Sequence, residues 1–252
     1  MIPGHVVGIE ARKLTRSAVT RVATATALIL APATSAGGYA AATLAPDTQV
    51  GAKAAGLMTT VGWSGLTGLA AMGTGVTVLL AAGIVASWLV GREFTDGTVV
   101  GLFALPVGPG AIALAKLLVI TAWSAALAVA SGALTALAGI CLGLPVTGAV
   151  GCAGAITLVG VLLGAGALPM AWFATLGRGY LAGIAAALGI VIVTNLAIGL
   201  GIGDLIPWAA PILWATPGGN TPPLALLLPL AAGLAGAILT TRSWGRLELG
   251  NR

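Results

Sequence analysis

Arg92, Glu93 and Asp96 stand together just ahead of Gly97-Thr98, in the one long interruption between apolar spans that mixes both signs of charge. On a helix, Arg92 and Asp96 are four positions apart and Glu93 and Asp96 three, so they share a face. The chemistry open to such a set is ion pairing and hydrogen bonding, with each other, with lipid phosphates or with a polar partner surface. Catalysis is not suggested. His5 is the single histidine, Cys141 and Cys152 form no metal or redox motif, and there are no paired acids and no nucleophile with a base. A G-x-x-x-x-G-K-[ST] phosphate loop is also missing, so no ATP hydrolysis by that route is expected.

The elements that position these residues are membrane helices. Only 7% of the 252 residues are charged and 58% are hydrophobic, and the mean hydropathy is +1.08. A soluble domain carries about 25% charged residues. Apolar runs of about 20 residues recur, each long enough to cross about 30 Å of hydrocarbon. They are continuous and do not alternate, which disfavours strands. The 39 glycines suit closely packed membrane helices. The expected fold is all-α and polytopic, a single transmembrane domain over 1–252. Its six spans are placed near 22–42, 61–90, 111–138, 153–176, 181–200 and 224–241, with a loop at 91–110. Pro169 is a kink site in the fourth span. The segment 201–223, rich in Pro and holding Trp208 and Trp214, is expected to form short re-entrant or interfacial helices.

The start of the chain, with Glu10, Arg12, Lys13, Arg16 and Arg21 among Ile9, Leu14, Ala18 and Val22, reads as an amphipathic interfacial helix leading into the first span. A signal peptide is the other reading. Placing the N-terminus inside makes Arg12, Lys13, Arg16, Arg21, Arg92, Lys116, Arg178, Arg242, Arg246 and Arg252 cytoplasmic and leaves Lys53 outside, which obeys the positive-inside rule. The net charge of +5 is then a topology signal and not a sign of nucleic-acid binding.

The loop resembles that of ABC-2 type permeases, the membrane subunits of ATP-binding-cassette exporters. The matching residues are Arg92-Glu93, Gly97-Thr98, Leu105-Pro106-Val107 and Lys116. Where that family commonly has Ser-Arg after Leu-Pro-Val, this chain has Gly108-Pro109. The resemblance implies a dimer of permeases in a bacterial plasma membrane and a separate ATPase subunit that uses ATP and Mg. This chain itself would bind no cofactor. The cargo implied is a hydrophobic or amphipathic drug, antimicrobial peptide or lipid-linked molecule, moved outward, with antibiotic resistance a common role. It also makes a helix at about Thr98 to Leu105 the coupling helix that sits in a cleft of the ATPase. A proton- or ion-coupled carrier and a non-transporting scaffold are the alternatives. No span carries a charge at its middle, which disfavours an ion relay.

Single residues then have paired readings. Arg92 and Glu93 would pair with the ATPase interface or the neighbouring loop, or Arg92 would lie near lipid phosphates at a solvated edge. Gly97 would supply a positive-φ turn, and Thr98 is a candidate N-cap. Val99, Val100, Leu102, Phe103 and Leu105, closed by Pro106, are too apolar for a free loop. Phe103 would anchor in a partner or in the bilayer interface. Lys116 is expected to snorkel to phosphates. Asn195 would line a path or cross-link helices, and Asp204 would gate the outer exit or sit in a wet loop. Cys141 and Cys152 are read as isolated or, alternatively, as a disulfide.

Overall fold

The computed structural model describes residues 4–104 and 106–247. Leu105, Glu248 and Arg252, which figure in the sequence expectations, lie outside the described residues. Among the described residues all regular structure is helical, and six segments are long and apolar enough to cross a membrane.

Helix α1, Gly4–Arg16, is amphipathic. Its buried face is Val6, Glu10 and Leu14, spaced four apart, while Ile9 is half exposed. Ser17 ends α1 and starts α2, Ala18–Leu44, by accepting a hydrogen bond from the Thr20 backbone N–H at 3.2 Å. Between the first two expected spans lies a short helix α3, Gln49–Leu57, capped by Thr48. Helix α4, Trp63–Thr95, holds 33 residues, about 50 Å at 1.5 Å per residue. It runs past the expected end near Val90 and carries the buried Glu93 in its last turn.

Gly97, at φ 69°, turns the chain out of α4 as expected of a glycine there. A single turn follows, α5, Val99–Leu102, shorter than the expected Thr98 to Leu105. Helix α6, Pro109–Cys141, starts with proline in its first turn, where no hydrogen bond is lost. The fourth crossing is two helices, α7, Ala149–Gly166, and α8, Pro169–Leu176. Pro169 therefore breaks the helix instead of only bending it, because it offers no N–H to the preceding turn. Helix α9, Tyr180–Gly199, forms the fifth crossing. In the segment after it, a 3₁₀ turn at Gly203–Leu205 precedes helix α10, Ala210–Ala215. Helix α11, Leu227–Gly245, is the sixth crossing.

Helix α4 is the axis of the bundle and packs on α2, α6, α7, α8, α9 and α10. The segment carrying α10 folds back into the bundle. Ile212 packs beside Gly75 of α4, and Trp208 donates its indole N–H to the Gly166 carbonyl at 2.9 Å. Trp208 thereby caps the broken end of α7. Glycines Gly233 and Gly236 let α11 lie against the same break, beside Ala165 and Pro169. Cys141 is exposed, Cys152 is buried, and both are free thiols.

Close backbone approach makes one glycine testable. A Cβ on Gly91 would press on the backbone of Gly179 and Tyr180, where α9 begins, while a Cβ on Gly37 meets nothing within 4 Å. Gly91→Ala is expected to destabilise the protein by about 1–3 kcal/mol. Gly37→Ala should be neutral or stabilising by up to about 1 kcal/mol. Thermal unfolding in detergent checks both.

Candidate functional site

Four ionisable side chains meet where α1 crosses the end of α4 and the start of α6. Lys116 has no exposure at all, and Glu10 and Glu93 are each 3% exposed. The Lys116 Nζ lies 2.7 Å from Glu10 Oε2 and 2.7 Å from Glu93 Oε1. Lys13 Nζ closes the set, 2.9 Å from Glu10 Oε1 and 3.1 Å from Glu93 Oε1. Two ammonium groups and two carboxylates thus form a neutral, alternating quartet. Such an arrangement satisfies the rule that a buried charge must be paired and hydrogen-bonded.

Each member arrives by a local necessity. Glu10 falls on the apolar stripe of α1 between Val6 and Leu14, so docking that stripe carries the carboxylate inward. Lys116 lies seven residues into α6, about 10 Å along the axis. The start of α6 is covered by α1, Lys116 is paired inside, and the expected snorkelling to phosphates does not occur. Glu93 points inward from the last turn of α4.

Thr98 occupies the position before α5 but makes no capping bond. Its hydroxyl donates to Glu93 Oε2 at 2.5 Å, which holds the loop to the quartet. Leu102 is buried in the same apolar cluster as Val6, Leu14 and Ile112, so α5 is pinned beneath α1. Phe103 is half-buried, Pro106 is exposed and Val100 is 61% exposed. Arg92 lies over the Trp88 ring, 4.7 Å from its centroid, and 3.5 Å from Asp96 Oδ2. Trp244 of α11 completes this end. It is fully buried, donates its indole N–H to Thr175 Oγ1 at 3.0 Å, and meets Phe94 edge-on at 5.7 Å.

The structure therefore gathers Arg92, Glu93, Asp96, Gly97, Thr98, Leu102, Phe103 and Pro106 at one end. Asn195 and Asp204 are elsewhere. Helix α9 starts beside Gly91 and runs away from this end, so Asp204, which follows it, lies at the other. Asp204 is exposed and accepts from the Thr221 hydroxyl at 3.3 Å. Asn195 is exposed and returns its amide N–H to the Val191 carbonyl at 2.9 Å. The quartet partners Glu10 and Lys13 carried no assigned role in the sequence reading. The signal was present, since a glutamate spaced four from Val6 and four from Leu14 sits on the buried stripe.

A family model for ABC-2 family transporter proteins matches residues 6–194. The chain belongs to the ABC-2 transporter family. It is thus a multi-pass membrane permease of an ABC transporter, in a family whose members associate with an ABC ATPase subunit and are generally not catalytic themselves. No curated protein matches the sequence. The matched region contains the whole quartet and the α4–α6 loop and stops inside α9, before Asn195 and Asp204.

Two outcomes follow for the quartet. Lys116→Met leaves two buried carboxylates to share Lys13, and is expected to cost about 3–5 kcal/mol. Adding Glu10→Gln should recover part of that loss, with denaturant unfolding in detergent as the measure. Burial works to lower the pKa of Lys13, but hydrogen bonds and charges from Glu10 and Glu93 outweigh it and hold the pKa above its ordinary 10.5. A raised folded pKa means that the stabilisation is complete below the unfolded value and lost as pH rises through the folded one. The stability gap between wild type and Lys13→Met should therefore be flat from about pH 7 to about 10 and shrink above that range. A gap that shrinks between neutral pH and 9 would contradict this.

Proposed function

We propose that this chain is the membrane subunit of an ATP-driven exporter, with the quartet end in the cytoplasm and α5 as the element that receives force from a separate ATPase. Two permease copies would enclose the path. The partner ATPase would bind ATP and Mg, and the cargo would be a hydrophobic or amphipathic molecule such as a drug, an antimicrobial peptide or a lipid-linked compound. The membrane would be a bacterial plasma membrane, and resistance by efflux the physiological role.

The observation that carries this reading is the two-sided character of α5. Val100 points outward and is largely exposed, while Leu102 one turn-edge away is buried against α1 and α6. A partner gripping the outer side would move the loop as a rigid piece. Thr98 and Leu102 would pass that displacement to Glu93, α1 and α6. Rigid-body movement of packed helices between two arrangements is an established way to switch access. Arg12, Arg16, Arg92 and Arg242 gather at this end, which supports its cytoplasmic placement. The quartet lies near the end of the bundle and is internally neutral, which favours a structural over an ion-carrying role.

The test is co-purification with an ABC ATPase from mild detergent, comparing wild type with a Val100→Asp, Phe103→Ala variant. Val100 is largely exposed and Phe103, half-buried, lies outside the apolar cluster that holds Leu102, so the fold should survive. The variant is expected to lose at least about ten-fold of the bound ATPase, as for loss of an interface anchor worth about 1.4 kcal/mol or more. ATP-dependent uptake of a hydrophobic dye into inside-out vesicles should fall with it. A folded wild type that brings down no ATPase in any nucleotide state would sink the coupling reading and move the ion-coupled carrier and the scaffold ahead.

A further inference from the structure

A groove of about 480 Å³ runs between α1 and the last turns of α4, lined by Ile9, Arg12, Lys13 and Arg16 on one side and by Trp88 and Arg92 on the other. Its charge is unbalanced. Lys13 is neutralised within the quartet by Glu10 and Glu93, and Arg92 is shared between Asp96 and the Trp88 ring. Arg12 and Arg16, four apart on one face of α1, are exposed and pair with no carboxylate among the described residues. Two uncompensated guanidinium groups, with a third beside them, thus face one concavity. Guanidinium forks match phosphate oxygens in geometry as well as in charge.

We infer that this groove holds the phosphate headgroup of an anionic phospholipid from the leaflet at the quartet end. The order of its walls along α4 supports a lipid over a soluble anion. Trp88 lies one turn deeper in the span than Arg92, and Ile9 on the facing helix is 51% exposed. Glycerol and the first acyl carbons meet the indole and the isoleucine, while the phosphate meets the arginines. Tryptophan at headgroup depth beside basic side chains is the usual pattern of such sites. A zwitterionic headgroup brings its own cation into a cluster of cations, so the groove selects a net negative lipid. The inference rests on the chain lying in a membrane and is independent of ATPase coupling or export.

The experiment is native mass spectrometry of the full chain released from detergent, titrated with phosphatidylglycerol, phosphatidylcholine or inorganic phosphate. Wild type is expected to retain phosphatidylglycerol over phosphatidylcholine. Each cationic side chain near a lipid phosphate contributes about 1 kcal/mol, or about five-fold, so Arg12→Gln with Arg16→Gln should weaken phosphatidylglycerol retention about 25-fold. Arg12→Lys with Arg16→Lys should keep most of it, and Lys53→Gln, a charge loss elsewhere, should change nothing. Equal retention of the two lipids, or a Gln double variant that binds like wild type, overturns the proposal. Displacement of the lipid by millimolar inorganic phosphate would assign the groove to a free anion instead. A Gln double variant that keeps its lipid but loses a co-purified ATPase would make it a protein contact.

Discussion

A lysine ammonium with no access to water is the constraint on which this end of the protein depends. Taking such a group out of water costs several kcal/mol even after relaxation, and only close opposite charges with hydrogen bonds offset that cost. Lys116 of α6 obtains its two carboxylates from different elements, Glu10 of α1 and Glu93 of α4. Two carboxylates around one cation leave an excess negative charge, and Lys13 supplies the second cation. Helix α1 is in this way bound to two membrane spans by charge as well as by Val6 and Leu14.

The same cluster organises what lies around it. Thr98 gives its hydroxyl to Glu93 and not to the backbone of α5, so the α4–α6 loop is held by the quartet. Trp244, closing from α11 onto Phe94 and Thr175, brings the last crossing to the same place. Because the quartet is neutral, it adds no net charge to this end, and the exposed Arg12, Arg16 and Arg242 do. Pairing within the bundle and charge on its rim are thus separate features made by adjacent residues of one helix. The region matched by the ABC-2 transporter family, residues 6–194, contains the whole quartet and the loop it holds.

Much of the fold was legible in the sequence. Runs of apolar residues located all six crossings, because length and hydropathy alone decide what spans hydrocarbon. Gly97 was legible as a positive-φ turn, for a reason local to its own backbone. The errors lie where a long-range contact overrides a local preference. Lys116 near a helix end reads as a snorkelling residue until α1, far earlier in the chain, is known to cover it. Thr98 reads as a cap until Glu93 competes for its hydroxyl. Trp208 carries no sequence signal that its indole N–H caps the Gly166 carbonyl left free by the break at Pro169. Helix α3 escaped notice because it is short and its polar start resembles a loop. The loop residues of the site were recognisable from their charges and glycines. Glu10 and Lys13 could be found only by noticing that a glutamate shares the apolar stripe of α1.

Glu10 and Lys116 are 106 positions apart, and a ribosome makes them in that order. Helix α1 leaves the ribosome with only Lys13, from its own next turn, to pair with Glu10. It cannot take its final seat until three crossings have been synthesised and the third has brought its ammonium to the boundary. Until then nothing else on the chain offsets the cost of burying the second Glu10 oxygen, and the favourable place for it is water. The quartet can therefore close only after α4 and the start of α6 exist, although α1 precedes both in the chain.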